Sequence, residues 1–506
     1  TTVENIVITD AITLIQEGTL NGCTSLASIT VPFVGNKTTT STDKNQYPLG
    51  YIFGTTSYTG GTATTQYYYG SSTSETTSVQ YYIPNSLRTV IISTCTNIPY
   101  GAFYGCTKIT NIEFPQNATI GDKAFYNCSS LLAIKWPSAM TNISANMFYN
   151  CSSLRKVDLP VTLVSIEGNA FANCASLTSI VIPESVKTIG SAAFTGCKNL
   201  RSMTLPFVGS GSSSYASSSA LFGYIFGTTS YTGGVSTKQY YGTGTNAYAT
   251  YYIPSTLTNV TVTGGKIYYG AFYGCSYIES LSIGENVTYI GQKAFYGCSK
   301  LTDIVLPFIG TNGTETEKSD TTAFSYVFGS VPSSLSTVHI LGGNILDGAF
   351  SGCSRIQSID ISNLTMDRIP NGAFYNCYYL TEVLLPNTIT LIGNNAFYGC
   401  KYLEKYDVDS TVTSIGDSAF YNCTSLTSIT ISSSVRSIGN NAFYGCSALT
   451  NVAADDINAW ATTAFGNAYS NPTYYAGKLY INSAEVTNVN LSGIDHVSQY
   501  AFYNCG

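Results

Sequence analysis

The chain has 506 residues, of which only 10% are charged, while 41 are tyrosine and two are histidine. Soluble domains usually carry about 25% charged residues, and a net charge of −6 provides no basic surface for nucleic acid. Histidine is the side chain that serves most often as a general base or metal ligand. Its scarcity therefore argues against an enzyme, and the sequence predicts neither a cofactor nor a metal site.

The length would suggest about three domains, but the cysteines recur about every 23 residues, and such a period is the signature of a leucine-rich solenoid. In the unit at residues 423–446, the alternation Ile429-Thr430-Ile431 predicts a strand with one buried face. An Ile-Gly pair then marks a turn, and Ala442-Phe443 closes the coil. The repeating cysteines are Cys106, Cys128, Cys151, Cys174, Cys197, Cys275, Cys298, Cys353, Cys377, Cys400, Cys423 and Cys446.

Along the chain, a first coil closes at Cys23, and insertions are predicted at about 33–83, 206–253 and 307–333. An irregular coil with a hairpin is predicted at about 453–488, after which the frame returns. Residues 1–506 are thus predicted to form a single, mostly β solenoid of about 17 to 18 coils. One face would carry a long parallel sheet and the other short strands and turns. Neither end resembles a capping repeat, which indicates missing flanking sequence or end coils that pair with another copy.

The repeat resembles that of the BspA-like leucine-rich repeats, with the pattern L-x-x-I-x-I-P, V-x-x-I-G, A-F-x-x-C. Residues 177–183 (Leu-Thr-Ser-Ile-Val-Ile-Pro), 186–190 and 193–197 match it at every position. The resemblance implies a secreted or surface-anchored protein of the kind found in gut, oral and parasitic microbes, often an adhesin. No stretch approaches the roughly 18 apolar residues that span a bilayer, so no transmembrane segment is predicted in this chain.

Tyrosine supplies the candidate binding residues, because its ring gives rigid, amphipathic contact area. The first two insertions share Gly-Tyr-Ile-Phe-Gly-Thr-Thr-Ser-Tyr-Thr-Gly-Gly at 50–61 and 223–234, and a tyrosine follows the closing phenylalanine in ten coils. The alternatives are that the insertions shield the sheet and that the coil tyrosines form a packing ladder with hydroxyls in water. The candidates are Tyr58, Tyr67, Tyr68, Tyr69, Tyr231, Tyr240 and Tyr241 in the insertions and Tyr104, Tyr126, Tyr149, Tyr273 and Tyr296 in the coils.

Fourteen cysteines share one position of the repeat, so their side chains should point in parallel and stay as buried thiols rather than form disulfides. Cys95 lies off this position and is the candidate for an exposed or reactive thiol. The outward strand positions carry mainly small polar residues. Asp360, Asp407 and His339 are scattered among them without the spacing of a metal or catalytic site.

These features predict a non-catalytic adhesion or recognition scaffold, extracellular or at the cell surface. It would bind a protein or glycan on another cell or matrix through its insertions and sheet face. The alternative is a structural protomer of an extracellular filament or sheath, assembled by head-to-tail stacking of end coils.

Overall fold

The computed structural model describes residues 2–39, 44–69, 76–211, 217–242 and 247–505. The chain divides into two compact units, Thr1–Tyr277 and Ile278–Gly506. It is a β-solenoid of about 20 turns with almost no helix, which confirms the predicted fold class. That all 506 residues act as one solenoid domain stays a prediction.

In the first unit most strands are short, since each coil contributes only a few residues to a sheet. They are β1 (Asn5–Val7), β2 (Ser28–Val31), β3 (Gly61–Tyr69), β4 (Thr76–Pro84), β5 (Thr89–Ile92), β6 (Asn97–Ile98), β7 (Asn111–Glu113), β8 (Thr119–Ile120), β9 (Asn142–Ile143), β10 (Ser165–Ile166), β11 (Ser179–Val181), β12 (Thr188–Ile189), β13 (Ser202–Leu205), β14 (Gly234–Tyr240), β15 (Tyr248–Pro254) and β16 (Asn259–Ile267).

The second unit continues the same pattern of short strands and adds two short helices, α1 (Ile457–Thr462) and α2 (Thr473–Ala476). Its strands are β17 (Ser280–Ile290), β18 (Asp303–Leu306), β19 (Thr337–Ile340), β20 (Ser358–Asp360), β21 (Arg368–Ile369), β22 (Glu382–Leu384), β23 (Leu391–Ile392), β24 (Lys405–Asp407), β25 (Ser414–Ile415), β26 (Ser428–Ile431), β27 (Ser437–Ile438), β28 (Asn451–Ala454), β29 (Ala464–Phe465), β30 (Tyr480–Ile481) and β31 (Ala484–Glu485).

Parallel pairing of equivalent strands builds a main sheet on one side of each unit. In the first unit the orders are β1-β2-β5-β7 and β11-β13-β16, and in the second they are β17-β18-β19-β20-β22 and β24-β26-β28-β30. Register follows the repeat, as when Ile29 lies beside Val90 and both are buried. A second set of two-residue strands, such as β21-β23-β25-β27-β29, pairs on the other side of the coils.

Phenylalanine fills the centre of the coils, as the repeated Ala-Phe closure predicts. Phe148, Phe171 and Phe194 are fully buried, and their ring centroids lie 5.4 and 5.5 Å apart in parallel planes. Phe397 and Phe420 repeat this arrangement in the second unit at 5.2 Å. Since no single coil encloses these rings, each coil obtains its buried surface from its neighbours.

The closing turn explains why glycine or asparagine precedes the repeated cysteine. Asn127, Asn150 and Asn422 have φ values of 59°, 60° and 56°, in the left-handed region that these two residue types tolerate best. The thiol that follows donates a hydrogen bond to the coil before it, as Cys174 Sγ does to the Phe148 carbonyl at 3.3 Å. None of the fifteen cysteines forms a disulfide. Of the fourteen at the repeat position, twelve are buried, as predicted, whereas Cys23 and Cys505 are partly exposed.

The main sheet of each unit is interrupted beside aromatic residues that stand where most other coils carry aliphatic ones. In the second unit, β22 and β24 lie in consecutive coils but do not pair, and Tyr406 occupies the inward position of β24. In the first unit the sheet stops after β7, beside Phe114 and Trp136. The Trp136 Nε1 is buried without a hydrogen-bond partner in the described residues. These rings need more room than the aliphatic side chains of the other coils.

The region predicted as an irregular coil with a hairpin contains two helices that the sequence reasoning missed. Asp456 caps α1, because its Oδ1 accepts a hydrogen bond from the Ala459 N–H at 2.7 Å. Trp460 in this helix is buried and its Nε1 donates to the Ala501 carbonyl at 2.7 Å. The hairpin is the short antiparallel pair β30–β31.

Candidate functional site

The first two insertions each carry an antiparallel hairpin, β3–β4 and β14–β15. Each hairpin follows a 3₁₀ turn that occupies the closing position of its coil, Leu49–Ile52 in the first case and Phe222–Ile225 in the second. The Leu49 N–H donates to the Ala102 carbonyl at 2.9 Å, so the turn pairs with the next coil despite the insertion. The hairpins are thus added between a closing turn and the following strand.

A buried glutamine attaches each hairpin to the coils. Gln66 is fully buried, and its Oε1 accepts from the Gly50 N–H at 2.6 Å while its Nε2 donates to the Tyr104 carbonyl at 3.1 Å. Gln239 repeats this, accepting from Gly223 at 2.7 Å and donating to the Ala271 carbonyl at 3.1 Å. A side-chain amide offers both donor and acceptor, so it can join two backbone segments at once.

The attachment brings the hairpin tyrosines onto the coil tyrosines. The ring centroids of Tyr67 and Tyr104 lie 4.6 Å apart. Tyr104 stacks on Tyr126 with a centroid distance of 4.5 Å, and Tyr126 stacks on Tyr149 at 4.7 Å. We call these four residues the first-unit tyrosine ladder. The row ends at Tyr149 because the next coil has Ala172 at this position. Tyr240 and Tyr273 repeat the first contact at 4.8 Å.

Beside the first-unit tyrosine ladder lies an open groove of about 560 Å³. Tyr67 and Tyr104 form one part of it, and the amides of Asn127 and Asn150 are joined there by a 2.9 Å hydrogen bond. None of the described residues that line this hairpin groove is ionised at neutral pH. They are Ala63, Thr64, Thr65, Tyr67, Tyr104, Gly105, Thr107, Asn127, Ser129, Asn150 and Ser152.

The phenols of this region are neutral donors at physiological pH. Burial, with a further contribution from Tyr126, raises the pKa of Tyr104 well above its usual range. Burial and the nearby Asp122 carboxylate raise the pKa of Tyr69 to about 12. The hairpin groove therefore offers hydroxyl and amide groups and ring edges, without a charge.

The second hairpin differs in charge. Where the first has Thr65, the second has Lys238, whose Nζ lies 3.8 Å from the centre of the Tyr248 ring and 5.0 Å from that of Tyr240. A cation at this distance is attracted to the ring faces. The two hairpins thus share an architecture but present different surfaces.

The predicted tyrosines do not form one cluster. Tyr58 and Tyr231 shield the start of each hairpin, where their hydroxyls donate to the carbonyls of Tyr82 and Tyr252 at 3.0 Å. Tyr69 lies outside the ladder, and its ring packs at a tilt against Tyr100 with a centroid distance of 4.0 Å. Tyr68 and Tyr241 are half-buried in their hairpins, and Tyr296 lies in the second unit with the Lys293 Nζ 6.0 Å from its ring.

The coil tyrosines have the geometry of the packing ladder that the sequence left as an alternative. Tyr104, Tyr126 and Tyr149 cover one another's ring faces and are half-buried, so their edges and hydroxyls remain for a ligand. The second unit contains the same stack without a hairpin, with centroid distances of 4.6 to 4.9 Å. Its members are Tyr375, Tyr398, Tyr421 and Tyr444.

Two expectations about single residues are wrong. Cys95 is not exposed: only 4% of it is accessible, and its Sγ donates to the Asn97 carbonyl at 3.1 Å. His339 and Asp360 are not scattered, because parallel pairing of β19 with β20 places the His339 Nδ1 3.4 Å from an Asp360 carboxylate oxygen. Asp303 on β18 lies 3.8 Å from the other ring nitrogen.

His339, Asp360 and Asp303 form a small cluster, but it does not have the order of a catalytic triad. The Ser362 hydroxyl donates to the Asp360 carboxylate at 2.6 Å, whereas a triad places the histidine between serine and carboxylate. Burial alone would raise the pKa of Asp360, but hydrogen bonds from Ser362 and the contact with His339 lower it. Among the described residues, no group of three or more His, Cys, Asp or Glu side chains is placed to hold a metal ion.

Sequence reasoning missed the two glutamines, although they occupy the same place in both hairpins. The segments Thr64-Thr65-Gln66-Tyr67-Tyr68 and Thr237-Lys238-Gln239-Tyr240-Tyr241 differ at one position only. A polar residue kept at one position while its exposed neighbour changes is a signal of a buried hydrogen bond.

A family model described as BspA type Leucine rich repeat region matches the chain in six copies, at residues 1–45, 75–201, 246–329 and 343–472. Among curated proteins none matches significantly. Within the described part of the chain, no helix has the length and apolar character that crossing a membrane requires.

Several solved structures are similar to the chain. A leucine-rich repeat protein from Bacteroides ovatus is 25% identical, with 78% of this chain and 94% of that chain covered and a TM-score of 0.31. A leucine rich cell surface protein from Faecalibacterium prausnitzii is 20% identical, with 92% and 91% covered and a TM-score of 0.25. The pneumococcal vaccine antigen PcpA is 18% identical, with 67% and 75% covered and a TM-score of 0.26.

Proposed function

The chain belongs to the BspA-type leucine-rich repeat family, and from this premise we propose that it is a non-catalytic recognition and adhesion scaffold, located at a cell surface or outside the cell. The coils supply a repeating frame, and ligand contact falls on the hairpins and the tyrosines beside them. Insertions in a solenoid cluster on one face or edge, where binding is common. The frame itself does not determine the ligand.

The observation that carries this proposal is the hairpin groove beside Tyr67 and Tyr104. Its lining combines aromatic edges with the hydroxyls of Thr107 and Ser129 and the amides of Asn127 and Asn150, and it holds no charge. Such a surface matches a neutral, hydroxyl-rich ligand, whose hydroxyls can both donate to and accept from these groups. A glycan fits this description better than a polypeptide does, so we assign the groove to a neutral glycan of another cell or matrix.

Removing the hairpins tests the proposal at the level of the element. Residues 61–84 and 234–254 are replaced by short Gly-Ser links, and binding to an array of neutral glycans and to a panel of cells is compared with the intact chain. Loss of binding, while the remaining coils keep a cooperative unfolding transition, is the expected result. Binding that survives both replacements would overturn the proposal.

Single substitutions test which tyrosines contact the glycan. Tyr104→Ser is expected to weaken glycan binding by at least about tenfold, since aromatic contacts are common hot spots. The matched control is Tyr398→Ser, which removes a stacked tyrosine of the second unit that has no hairpin beside it. Equal losses in the two variants would show that the ladder matters only for stability.

The filament protomer remains the alternative prediction, and nothing in the described residues favours it over recognition. Electron microscopy of the purified chain over a range of concentrations distinguishes the two. Ordered polymers that form without any ligand would support the filament.

A further inference from the structure

A cleft opens in the second unit between two strands that should be neighbours. In regular coils, a carbonyl just before one strand accepts from two N–H groups of the next coil, as Glu404 does from Thr427 and Ser428 at 2.9 and 3.4 Å. The equivalent carbonyl of Thr381 receives no such bond from Glu404 or Lys405. The facing edges of β22 and β24 are therefore left without their ladder.

The two coils remain joined elsewhere. On the opposite side, Leu391 of β23 pairs with Ser414 of β25, and the Cys400 thiol donates to the Phe374 carbonyl at 3.2 Å. The Tyr379 and Tyr402 rings stack at 4.7 Å. The cleft is thus a local opening between otherwise stacked coils, and a small change at one position would close it.

Tyr406 keeps the cleft open. It takes the inward position that Ile429 occupies in the next coil, and its ring lies 5.1 Å from Phe397 and 5.0 Å from Phe420. A phenol needs more room than an isoleucine between these rings, and the ladder is missing at the coil that carries it. Its hydroxyl has no hydrogen-bond partner among the residues that the structure describes.

The cleft has a volume of about 380 Å³, within the range of about 300 to 1,000 Å³ of ligand pockets. Its walls are apolar, with Val383, Phe397 and Leu403, and its ends are the unpaired backbone edges of the two strands. The charged residues that line it are Glu382, Asp407, Asp409 and Lys405. Three carboxylates against one ammonium give the cleft a negative charge.

We propose that this cleft binds an extended, positively charged peptide segment of a partner protein, which adds as a strand between β22 and β24. Only an extended backbone supplies N–H and carbonyl groups to both open edges at once. Alternate side chains of such a strand would face the apolar wall. Lys or Arg at the others would meet Asp407 and Glu382, which are exposed and close to the rim.

The probe is a phage-displayed library of random heptapeptides, selected on the intact 506-residue chain in solution. Selection should enrich peptides that carry Lys or Arg and lack proline in their centre, because proline cannot donate to the ladder. A selected peptide, made synthetically, should slow amide hydrogen exchange in segments 381–385 and 403–408. No enrichment, enrichment of acidic peptides, or protection elsewhere would overturn the proposal.

Two variants make the test specific. Tyr406→Ile restores the aliphatic position and should close the cleft, which is seen directly as slower exchange in segment 403–408 without peptide, and peptide affinity should fall at least about tenfold. The double variant Glu382→Gln with Asp407→Asn changes only exposed groups and should weaken binding about threefold to tenfold. Unchanged affinity in both variants, or a cleft occupied by a second copy of the chain in sedimentation experiments, would contradict a basic peptide ligand.

Discussion

At the scale of single residues, Gln66 and Gln239 are the polar groups on which hairpin placement depends most. We expect Gln66→Leu to leave the Gly50 N–H and the Tyr104 carbonyl without their partner in a buried place. An unsatisfied buried group costs about 1 to 3 kcal/mol. The hairpin should therefore detach before the coils unfold, and limited proteolysis within residues 61–84 should accelerate in this variant.

The same hairpin supplies the control. Gln80 is exposed and bonds only to the Tyr82 hydroxyl at 3.2 Å, so Gln80→Leu changes the same chemical group in solvent. Its proteolysis rate should match that of the unmodified chain. If both variants are cleaved at the unmodified rate, the buried glutamine is not what holds the hairpin.

The buried thiols predict a loss of stability at alkaline pH. Burial raises the pKa of Cys197 and of Cys353 to about 12, against 9.0 for an ordinary thiol. Below pH 9 these thiols are protonated in both the folded and the unfolded chain, so they do not lower the free energy of unfolding. Between about pH 9 and 12 only the unfolded chain ionises, so unfolding is favoured by up to about 1.4 kcal/mol per pH unit for each such thiol.

Guanidinium unfolding in the presence of a reductant, at pH 7, 9 and 10.5, measures this slope. The double variant Cys174→Ala with Cys197→Ala removes two neighbouring buried thiols and should show a shallower slope than the unmodified chain. A free energy of unfolding that stays constant up to pH 10.5 would contradict the prediction. Tyrosines with raised pKa, such as Tyr58, act in the same direction.

At the scale of the element, each coil is stabilised by its neighbours through the phenylalanine stack. We expect Phe171→Ala to cost about 3 to 5 kcal/mol, because the ring is fully buried between Phe148 and Phe194. Hydrogen exchange should increase mainly in the coil itself and the two beside it, since repeat arrays couple through nearest neighbours. The control Tyr149→Ala removes a half-buried ring and should cost less, about 1 kcal/mol. Equal costs, or exchange that increases uniformly, would show that the stack is not the source of coil stability.

The parts of the fold that could be predicted from sequence are those that every coil repeats. The strand alternation, the closing phenylalanine and the buried thiol recur at fixed positions, so the pattern of one unit predicts these features in the other units. The features that escaped prediction each occur at one place in the chain and not in every coil: the opening beside Tyr406, the cap that Asp456 gives to α1, and the contact of His339 with Asp360. The first and last of these follow from which residues of different coils become neighbours, which the repeat count alone does not specify.

The candidate site was predictable in its residue type but not in its arrangement. The shared sequence of the two insertions marked their tyrosines, yet Tyr67 joins the coil ladder whereas Tyr58 shields the hairpin start. The difference arises because Gln66 fixes which face of the hairpin meets the coils. That bond links residues 38 positions apart, and short-range patterns contain no information at this range.

At the scale of the whole molecule, the two proposed sites differ in the charge of the residues that line them. The hairpin groove has no ionised lining residue, whereas the cleft between β22 and β24 has three carboxylates and one ammonium group. Raising the salt concentration from about 0.1 M to about 1 M shortens the Debye length from about 10 Å to about 3 Å. Glycan binding to the groove should then change by less than about twofold, while binding of a basic peptide should weaken about threefold to tenfold. Titrations of both ligands on the same preparation measure this contrast. Equal salt dependence of the two would mean that at least one ligand binds through contacts other than those proposed.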